Sequence, residues 1–219
     1  MLEIKEIPVS SDSHPKSKKP LPNHEFTMAL IAPKGAGKTT LLINLLEFYK
    51  GLFHQIYIFS PTIKNDEKWK YIKSRKILAD NIKLKKALAE IQKKRDIKET
   101  KVVKNKATSF AMQSEPPVNK VKPYTPFIPE ECFISTFSES SVSDILLQQQ
   151  EMIDYLEEHE YTKHTANRIL LLFDDLVGSN LYSRAQDAPF MVLNTTHRHK
   201  SISILMVSQA YKAIPKTIR

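Results

Sequence analysis

Short apolar runs alternate with amphipathic stretches along much of the chain, and this alternation predicts an α/β domain. An apolar run of strand length at 26–32 ends in a turn rich in glycine, and leucines at helical spacing follow over 38–50. A second run, at 55–60, is rich in β-branched and aromatic residues and is closed by Pro61. A strand, a helix and a strand in this order predict a parallel sheet with a right-handed crossover.

The same alternation returns in the second half of the chain. We expect a short strand at 132–136, a helix at 144–160, a buried strand over 168–173, a helix at 189–196 and a strand at 202–208. A serine-rich cap precedes the first of these helices and comprises Ser138, Ser140, Ser141 and Ser143. The predicted fold class is α/β, with a mostly parallel sheet flanked by helices.

Residues 64–129 have a different composition and are interpreted as an insertion within a domain spanning 26–219. Residues 64–106 carry sixteen Lys or Arg against six Asp or Glu, so their excess of ten positive charges is larger than the net +9 of the whole chain. Apolar residues at helical spacing predict a basic helix over 68–97, namely Ile77, Leu84, Leu88 and Ile91. This helix is either a solvated amphipathic helix or an arm that faces nucleic acid. The prolines of 101–130 predict an extended linker.

Length and composition limit the number of domains, the expected membrane spans and the kinds of metal site. With 219 residues, the chain is long enough for one domain, and residues 1–25, rich in proline, serine and lysine, are expected to form a flexible tail. We expect no membrane span, because no apolar run approaches the roughly 18 residues that crossing a bilayer requires. The single cysteine, Cys132, cannot form an internal disulfide or supply a cysteine-based zinc site, so any metal would need oxygen ligands.

The turn after the first predicted strand carries the clearest chemical signal. Residues 32–39 read A-x-x-x-x-G-K-T, the phosphate-binding loop pattern with alanine at its first glycine. Its place between an apolar strand and an amphipathic helix is typical of a P-loop NTPase, in which curled backbone N–H groups and the helix N-terminus bind phosphate. Lys38 is expected to reach the β- and γ-phosphates, and Thr39 to bind Mg²⁺. The expected nucleotide-binding residues are Pro33, Lys34, Gly35, Ala36, Gly37, Lys38, Thr39 and Thr40.

Two acids follow the buried strand at 168–173. Asp174 is expected to hold Mg²⁺ through water, and Asp175 to orient or activate the attacking water. The alternative for both is a helix N-cap, which an aspartate after a strand often forms. ATP is favoured over GTP because the sequence has no guanine-selecting N-K-x-D segment.

Two further residues near the last strand are candidates for catalysis. Gln209 ends that strand, where its amide is expected to contact the γ-phosphate or the attacking water; the alternative is an exposed loop glutamine. Arg198 precedes the strand and is interpreted either as an arginine finger acting on a neighbouring subunit or as a surface arginine in a basic loop.

Four segments together resemble the FtsK/HerA-type packaging ATPases of large DNA viruses, typified by the poxvirus packaging ATPase. These segments are Ala32–Thr39, Ile58–Pro61, Leu170–Leu176 and Arg198–Tyr211. The resemblance covers about 26–62 and 130–219, and leaves the tail and the insertion outside it. It implies a RecA/FtsK-like fold, ATP and Mg²⁺ as cofactors, and the site roles given above.

The same resemblance implies partners and a location. Members of this family are thought to form homo-oligomeric rings that thread double-stranded DNA into capsids, so DNA, further copies of the chain and capsid proteins are the expected partners. A viral protein of this kind is expected in the virion or in the cytoplasmic viral factory, and otherwise in the soluble interior of a cell. Family members continue with further strands after the glutamine that corresponds to Gln209, so we also expect a C-terminally shortened domain.

Three functions remain open from the sequence. The first is a motor that couples ATP hydrolysis to DNA movement. The second is a nucleotide-binding switch, or a degenerate fragment of such an ATPase, without turnover. The third is a nucleoside or small-molecule kinase, which the paired aspartates and the strand ending in glutamine disfavour.

Overall fold

The computed structural model of the protein describes residues 21–80, 89–90, 126–159, 167–176 and 189–209. In these residues the strands are β1 (Thr27–Ile31), β2 (Gln55–Phe59), β3 (Phe133–Ile134), β4 (Ile169–Asp174) and β5 (Ile202–Ser208). The α-helices are α1 (Lys38–Phe48), α2 (Glu67–Lys73), α3 (Glu139–Glu158) and α4 (Pro189–Thr196), and a short 3-10 helix spans Glu130–Cys132. The α/β class predicted from the sequence is confirmed.

All five strands form one parallel sheet in the order β1-β5-β4-β2-β3. After β1 the chain crosses past two strand positions to β2, and it returns later to fill those positions with β4 and β5. Because the strands are parallel, all of their carboxyl ends lie at one edge of the sheet. Ligands of open parallel sheets bind outside this edge, where the strand order reverses.

Helices cover both faces of the sheet and create two apolar cores. On one face, α1 and α2 pack against alternate residues of the central strands, including Leu170 and Leu172. On the other face, α3 and α4 pack against the intervening residues, including Leu171 and Phe173. The central strands β4 and β5 are buried along their whole length, which explains their continuous apolar sequences.

The predicted helix over 68–97 is wrong, because α2 ends at Lys73. Ile77 lies in an extended segment after α2 and is buried in the core. This segment is held by long-range main-chain bonds: Ile77 N donates to Pro126 O (2.9 Å) and Ala79 N donates to Phe53 O (2.7 Å). Residues 89–90 are helical, whereas Leu84, Leu88 and Ile91 lie outside the described residues.

Two predicted boundaries also change. The helix expected from 144 begins at Glu139, where Ser138 caps it by accepting a hydrogen bond from Ser141 N, so the other three serines lie inside the helix. The predicted strand at 132–136 is shorter, because only Phe133–Ile134 pairs with β2.

The last residues of the predicted tail contact the domain. Pro22 O accepts a hydrogen bond from the Tyr49 hydroxyl (3.1 Å), and Glu25 N donates to Ser203 Oγ (2.9 Å). The packed structure therefore starts before the expected boundary at residue 26, while residues 1–20 lie outside the described part. Across the described ranges, no helix has both the length and the apolar character that a membrane crossing requires.

Candidate functional site

The loop after β1, the two aspartates and Gln209 lie at the same edge of the sheet. β5 lies between β1 and β4, so Ile31 pairs with Ser208 while Asp174 pairs with Val207. Main-chain bonds continue this register beyond the strands: Ala32 N donates to Ser208 O (3.3 Å), and Asp175 N donates to Val207 O (3.0 Å). The end of β5 therefore connects the glycine-containing loop to the acidic pair.

The loop between β1 and α1 has a backbone that suits an anion. Gly35 and Gly37 have φ values of 82° and 80°, a left-handed conformation that other residues adopt at a cost. A Cβ at either position would meet nothing within 4 Å, so glycine is required here for its backbone angle and not for space. Gly37 caps α1 without a side-chain hydrogen bond, and the first turn of α1 has no acid. The N-terminus of α1 therefore presents main-chain N–H groups and partial positive charge at this edge.

Lys38 lies in the first turn of α1 and folds back over the loop. Its Nζ donates to Ala32 O (2.6 Å) and to Pro33 O (2.8 Å). These bonds hold an ammonium group at the mouth of the loop, next to the main-chain N–H groups. Thr39 and Thr40 follow in the same turn of the helix, Thr39 half-buried and Thr40 exposed.

Asp174 is a buried acid at the end of β4, only 6% exposed. Its Oδ2 accepts a hydrogen bond from the hydroxyl of Ser60 (2.9 Å). Burial raises the pKa of Asp174, and the charges of Asp175 and Asp66 raise it further, while the Ser60 hydroxyl and the Lys38 ammonium lower it. Loss of water around the carboxylate is the largest effect, so a cation beside Asp174 would relieve an unfavourable buried charge.

Asp175 and Gln209 contact each other at the mouth of the site. Asp175 has a φ of 51°, a left-handed conformation that aspartate tolerates better than most residues. Gln209 is exposed and donates from Nε2 to Asp175 Oδ2 (2.6 Å). The N-cap alternative for Asp175 stays open, because residues 177–188 after it lie outside the described residues.

Arg198 is not part of this constellation. It is exposed in the turn between α4 and β5, at the opposite edge of the sheet. The seven residues of β5 separate the two edges, a distance of about 20 Å at a strand's rise per residue. Arg198 therefore cannot reach the site of its own chain. An arginine finger at this position would have to act on a neighbouring subunit, and the interpretation as a surface arginine stays open.

The residues at the carboxyl edge suit magnesium bound together with a nucleotide. Asp174 and Thr39 offer hard oxygen donors, and Asp174 is a carboxylate kept from water. In the described ranges, no group of three or more His, Cys, Asp or Glu side chains is arranged to hold a metal ion. A Mg²⁺ ion here would need oxygens of the nucleotide and of water, as is usual for this cation.

Sequence reasoning did not assign Ser60 to the site. Ser60 directly follows β2, which lies next to β4 in the sheet, and this neighbourhood places its hydroxyl against Asp174 although 114 residues separate the two in the chain. The available signal was weak: a serine that directly follows an apolar strand and precedes Pro61 is also typical of a turn.

Comparison with known proteins assigns the chain to a family. No curated protein and no solved structure matches it. One family model, described as Poxvirus A32 protein, matches residues 15–113 and 117–219. This match includes most of the lysine-rich insertion, so the expectation that the insertion lies outside the family is wrong. The chain belongs to the poxvirus A32 protein family, which is the family of the poxvirus packaging ATPases.

Proposed function

We propose that this chain is a P-loop ATPase domain of the FtsK/HerA type that hydrolyses Mg-ATP at the carboxyl edge of its sheet. One observation carries the proposal. An ammonium group beside the main-chain N–H groups at the start of α1, a buried carboxylate, a second carboxylate and an amide all lie at the ends of three neighbouring strands. Hydrolysis of a triphosphate requires this combination, since phosphate charge, a metal ion and an attacking water must meet.

Each residue has a role that follows from its chemistry. The loop N–H groups and Lys38 would neutralise the phosphates, and Thr39 and Asp174 would hold Mg²⁺. When bound, the magnesium ion supplies charge neutralisation between the β- and γ-phosphates. Asp175 would accept a hydrogen bond from the attacking water, and the Gln209 amide, already bonded to Asp175, would fix that carboxylate and the water beside it.

Family membership supports a more specific activity, the movement of double-stranded DNA into capsids. We propose that the chain acts in a homo-oligomeric ring, contacts capsid proteins, and works in the virion or in the viral factory. A ring also gives Arg198 a role, because an arginine remote from its own site can reach the site of a neighbour.

A second candidate is a nucleotide-dependent switch without turnover in the isolated chain. The position of Arg198 favours it, since a single subunit cannot bring this positive charge to its own γ-phosphate. The two candidates differ in a single-turnover assay with and without DNA. Turnover that rises with protein concentration or with DNA supports the motor, whereas tight nucleotide binding with no turnover under any condition supports the switch.

The Lys38→Ala substitution tests the ATPase proposal. Removing one charged group that stabilises the transition state is expected to lower turnover at least about 100-fold. Turnover is measured as phosphate release at saturating ATP and Mg²⁺. Lys50→Ala is the matched control, because Lys50 is an exposed lysine just after the other end of α1 and should keep wild-type turnover. Equal turnover in the wild-type and Lys38→Ala proteins would contradict the proposal.

A further inference from the structure

We infer that Ser60, supported by Thr62, is a positioning residue that holds the Asp174 carboxylate in place for Mg²⁺. The inference rests on the proposed ATPase function and adds to it two residues from the loop after β2. Neither Ser60 nor Thr62 is among the residues proposed above to bind the phosphates, to hold Mg²⁺ or to orient the attacking water.

The sheet fixes the position of Ser60. Phe59 pairs with Phe173 across β2 and β4, so the next residues along, Ser60 and Asp174, face each other at the carboxyl edge. Ser60 is only 1% exposed, and its main-chain N donates to Ile134 O of β3 (3.0 Å). The hydroxyl therefore reaches Asp174 Oδ2 at 2.9 Å from a backbone held on both sides by neighbouring strands.

Counting protons gives the direction of the hydrogen bonds. Ser60 has one hydroxyl proton, and an ionised Asp174 can only accept it. Ser60 Oγ then accepts from two groups of Thr62, the hydroxyl at 3.0 Å and the main-chain N–H at 3.3 Å. With Asp174 ionised, as a magnesium ligand must be, the chain of donors runs from Thr62 to Ser60 to Asp174.

This arrangement fixes the carboxylate without blocking it. A carboxylate has about four lone-pair sites, and the Ser60 hydroxyl uses one of them on Oδ2. The rotation of the carboxylate about its last bond is restrained, while the remaining sites can face a metal ion or its water. Outer groups that orient a metal ligand in this way commonly change metal affinity about 10- to 100-fold when they are removed.

Ser60→Ala tests the inference through magnesium dependence rather than through turnover. Binding of a non-hydrolysable ATP analogue is titrated at increasing Mg²⁺ concentration and also in the absence of divalent cations. We expect Ser60→Ala to raise the Mg²⁺ concentration for half-maximal binding about 10-fold or more, with metal-free binding unchanged. Ser60→Thr keeps a hydroxyl and should restore most of the loss.

Ser203→Ala is the matched control. Ser203 is a fully buried serine on β5 whose hydroxyl also has two partners, Glu25 N and the His24 ring, but it lies toward the amino edge. Its substitution removes a buried hydroxyl without touching Asp174, so the Mg²⁺ dependence should stay at the wild-type value. An equal shift in Ser60→Ala and Ser203→Ala would show a general loss of packing and would overturn the inference.

The remaining outcomes separate this inference from the proposed function. Wild-type protein that binds no magnesium nucleotide would overturn the ATPase proposal and this inference with it. Wild-type binding combined with an unchanged Mg²⁺ dependence in a folded Ser60→Ala protein would overturn the inference alone. If Ser60→Ala does not fold, Thr62→Val replaces it in the test, because Thr62 is exposed. We expect Thr62→Val to raise the Mg²⁺ concentration for half-maximal binding by a smaller factor, about threefold. An unchanged Mg²⁺ concentration would contradict the inference.

Discussion

At the scale of single residues, His54 is a buried base whose protonation the fold opposes. Burial lowers the pKa of His54 from 6.5 to about 3, with a smaller contribution from the charge of Arg168. Its Nδ1 accepts a hydrogen bond from Arg168 N (3.0 Å), which requires a neutral acceptor nitrogen. The unfolded chain takes up this proton at a higher pH than the folded chain. His54 therefore contributes stability above pH 6.5 that is lost as the pH falls toward about 3.

His54→Asn should flatten this pH dependence. The asparagine Oδ1 can replace Nδ1 as acceptor, and it does not titrate. Between pH 6.5 and about 3 the wild-type free energy of unfolding should fall more steeply than that of the variant, by up to about 1.4 kcal/mol per pH unit. Urea denaturation at several pH values measures the difference. Parallel curves for the two proteins would show that His54 is not the responsible group.

The candidate site illustrates what single residues reveal without a structure. Lys38, Asp174 and Gln209 were predicted because each follows or begins an element that local sequence defines. The structure places the three residues at one edge of the sheet, and their roles in nucleotide binding and catalysis stay predictions. Ser60 was missed because its partner Asp174 lies 114 residues away, and only the pairing of β2 with β4 makes them neighbours.

At the scale of elements, the start of α3 depends on one serine side chain. Ser138 Oγ accepts a hydrogen bond from Ser141 N (3.3 Å), satisfying one of the free N–H groups of the first turn. Ser138→Ala should lower the free energy of unfolding by about 1 kcal/mol. Ser143→Ala is the control, since Ser143 is half-buried inside the helix and its hydroxyl donates to the Glu139 carbonyl one turn back; its effect should stay within about 0.5 kcal/mol.

Fluorescence of Trp69 provides the measurement for both variants. Trp69 is the only tryptophan of the sequence and is fully buried in α2, so its emission should shift to longer wavelength on unfolding. Equal midpoints for Ser138→Ala and Ser143→Ala in urea would contradict the capping role.

Elements with continuous apolar sequences were the most predictable. β4 and β5 were located well because both faces of these strands are buried, which leaves an unmistakable apolar run. The helix predicted over 68–97 is wrong beyond Lys73 because main-chain bonds to distant residues hold the segment that follows. Ile77 N donates to Pro126 O, a contact across the insertion that no local pattern contains.

At the scale of the whole molecule, the positive charge of residues 64–106 is the feature most relevant to the proposed binding of DNA. If about six of its Lys or Arg side chains neutralise phosphates, affinity for duplex DNA should fall about 1000-fold between 50 and 200 mM salt. Lys68 and Lys70 are both exposed on α2. Replacing both by glutamine should reduce the slope of log affinity against log salt concentration by about two, because about two fewer counterions are released on binding. Fluorescence anisotropy with labelled DNA measures both quantities.

Lys50→Gln is the control for this experiment, because Lys50 is an exposed lysine outside the lysine-rich segment. It should leave the salt dependence at the wild-type value. DNA binding that is unaffected by the Lys68 and Lys70 substitutions would favour the alternative interpretation of the basic segment, a solvated surface that does not face nucleic acid.

The strand order is also a property of the whole molecule that local patterns did not determine. The sequence predicted a parallel sheet, yet the insertion of β5 between β1 and β4 arises from contacts between distant segments. That order is the reason why the loop, the acids and the amide share one edge.

The two carbonyl bonds of Lys38 have a consequence for how a ligand would enter. In the proposed function, a triphosphate would have to take the ammonium group away from Ala32 O and Pro33 O, so its recognition by Lys38 would be an exchange of hydrogen-bond partners and not a gain of new ones. The enthalpy gained from the new bonds of Lys38 would be largely offset by the loss of its two bonds to carbonyl oxygens. The two bonds also restrain the conformation of the loop, so binding would cost little further conformational entropy there.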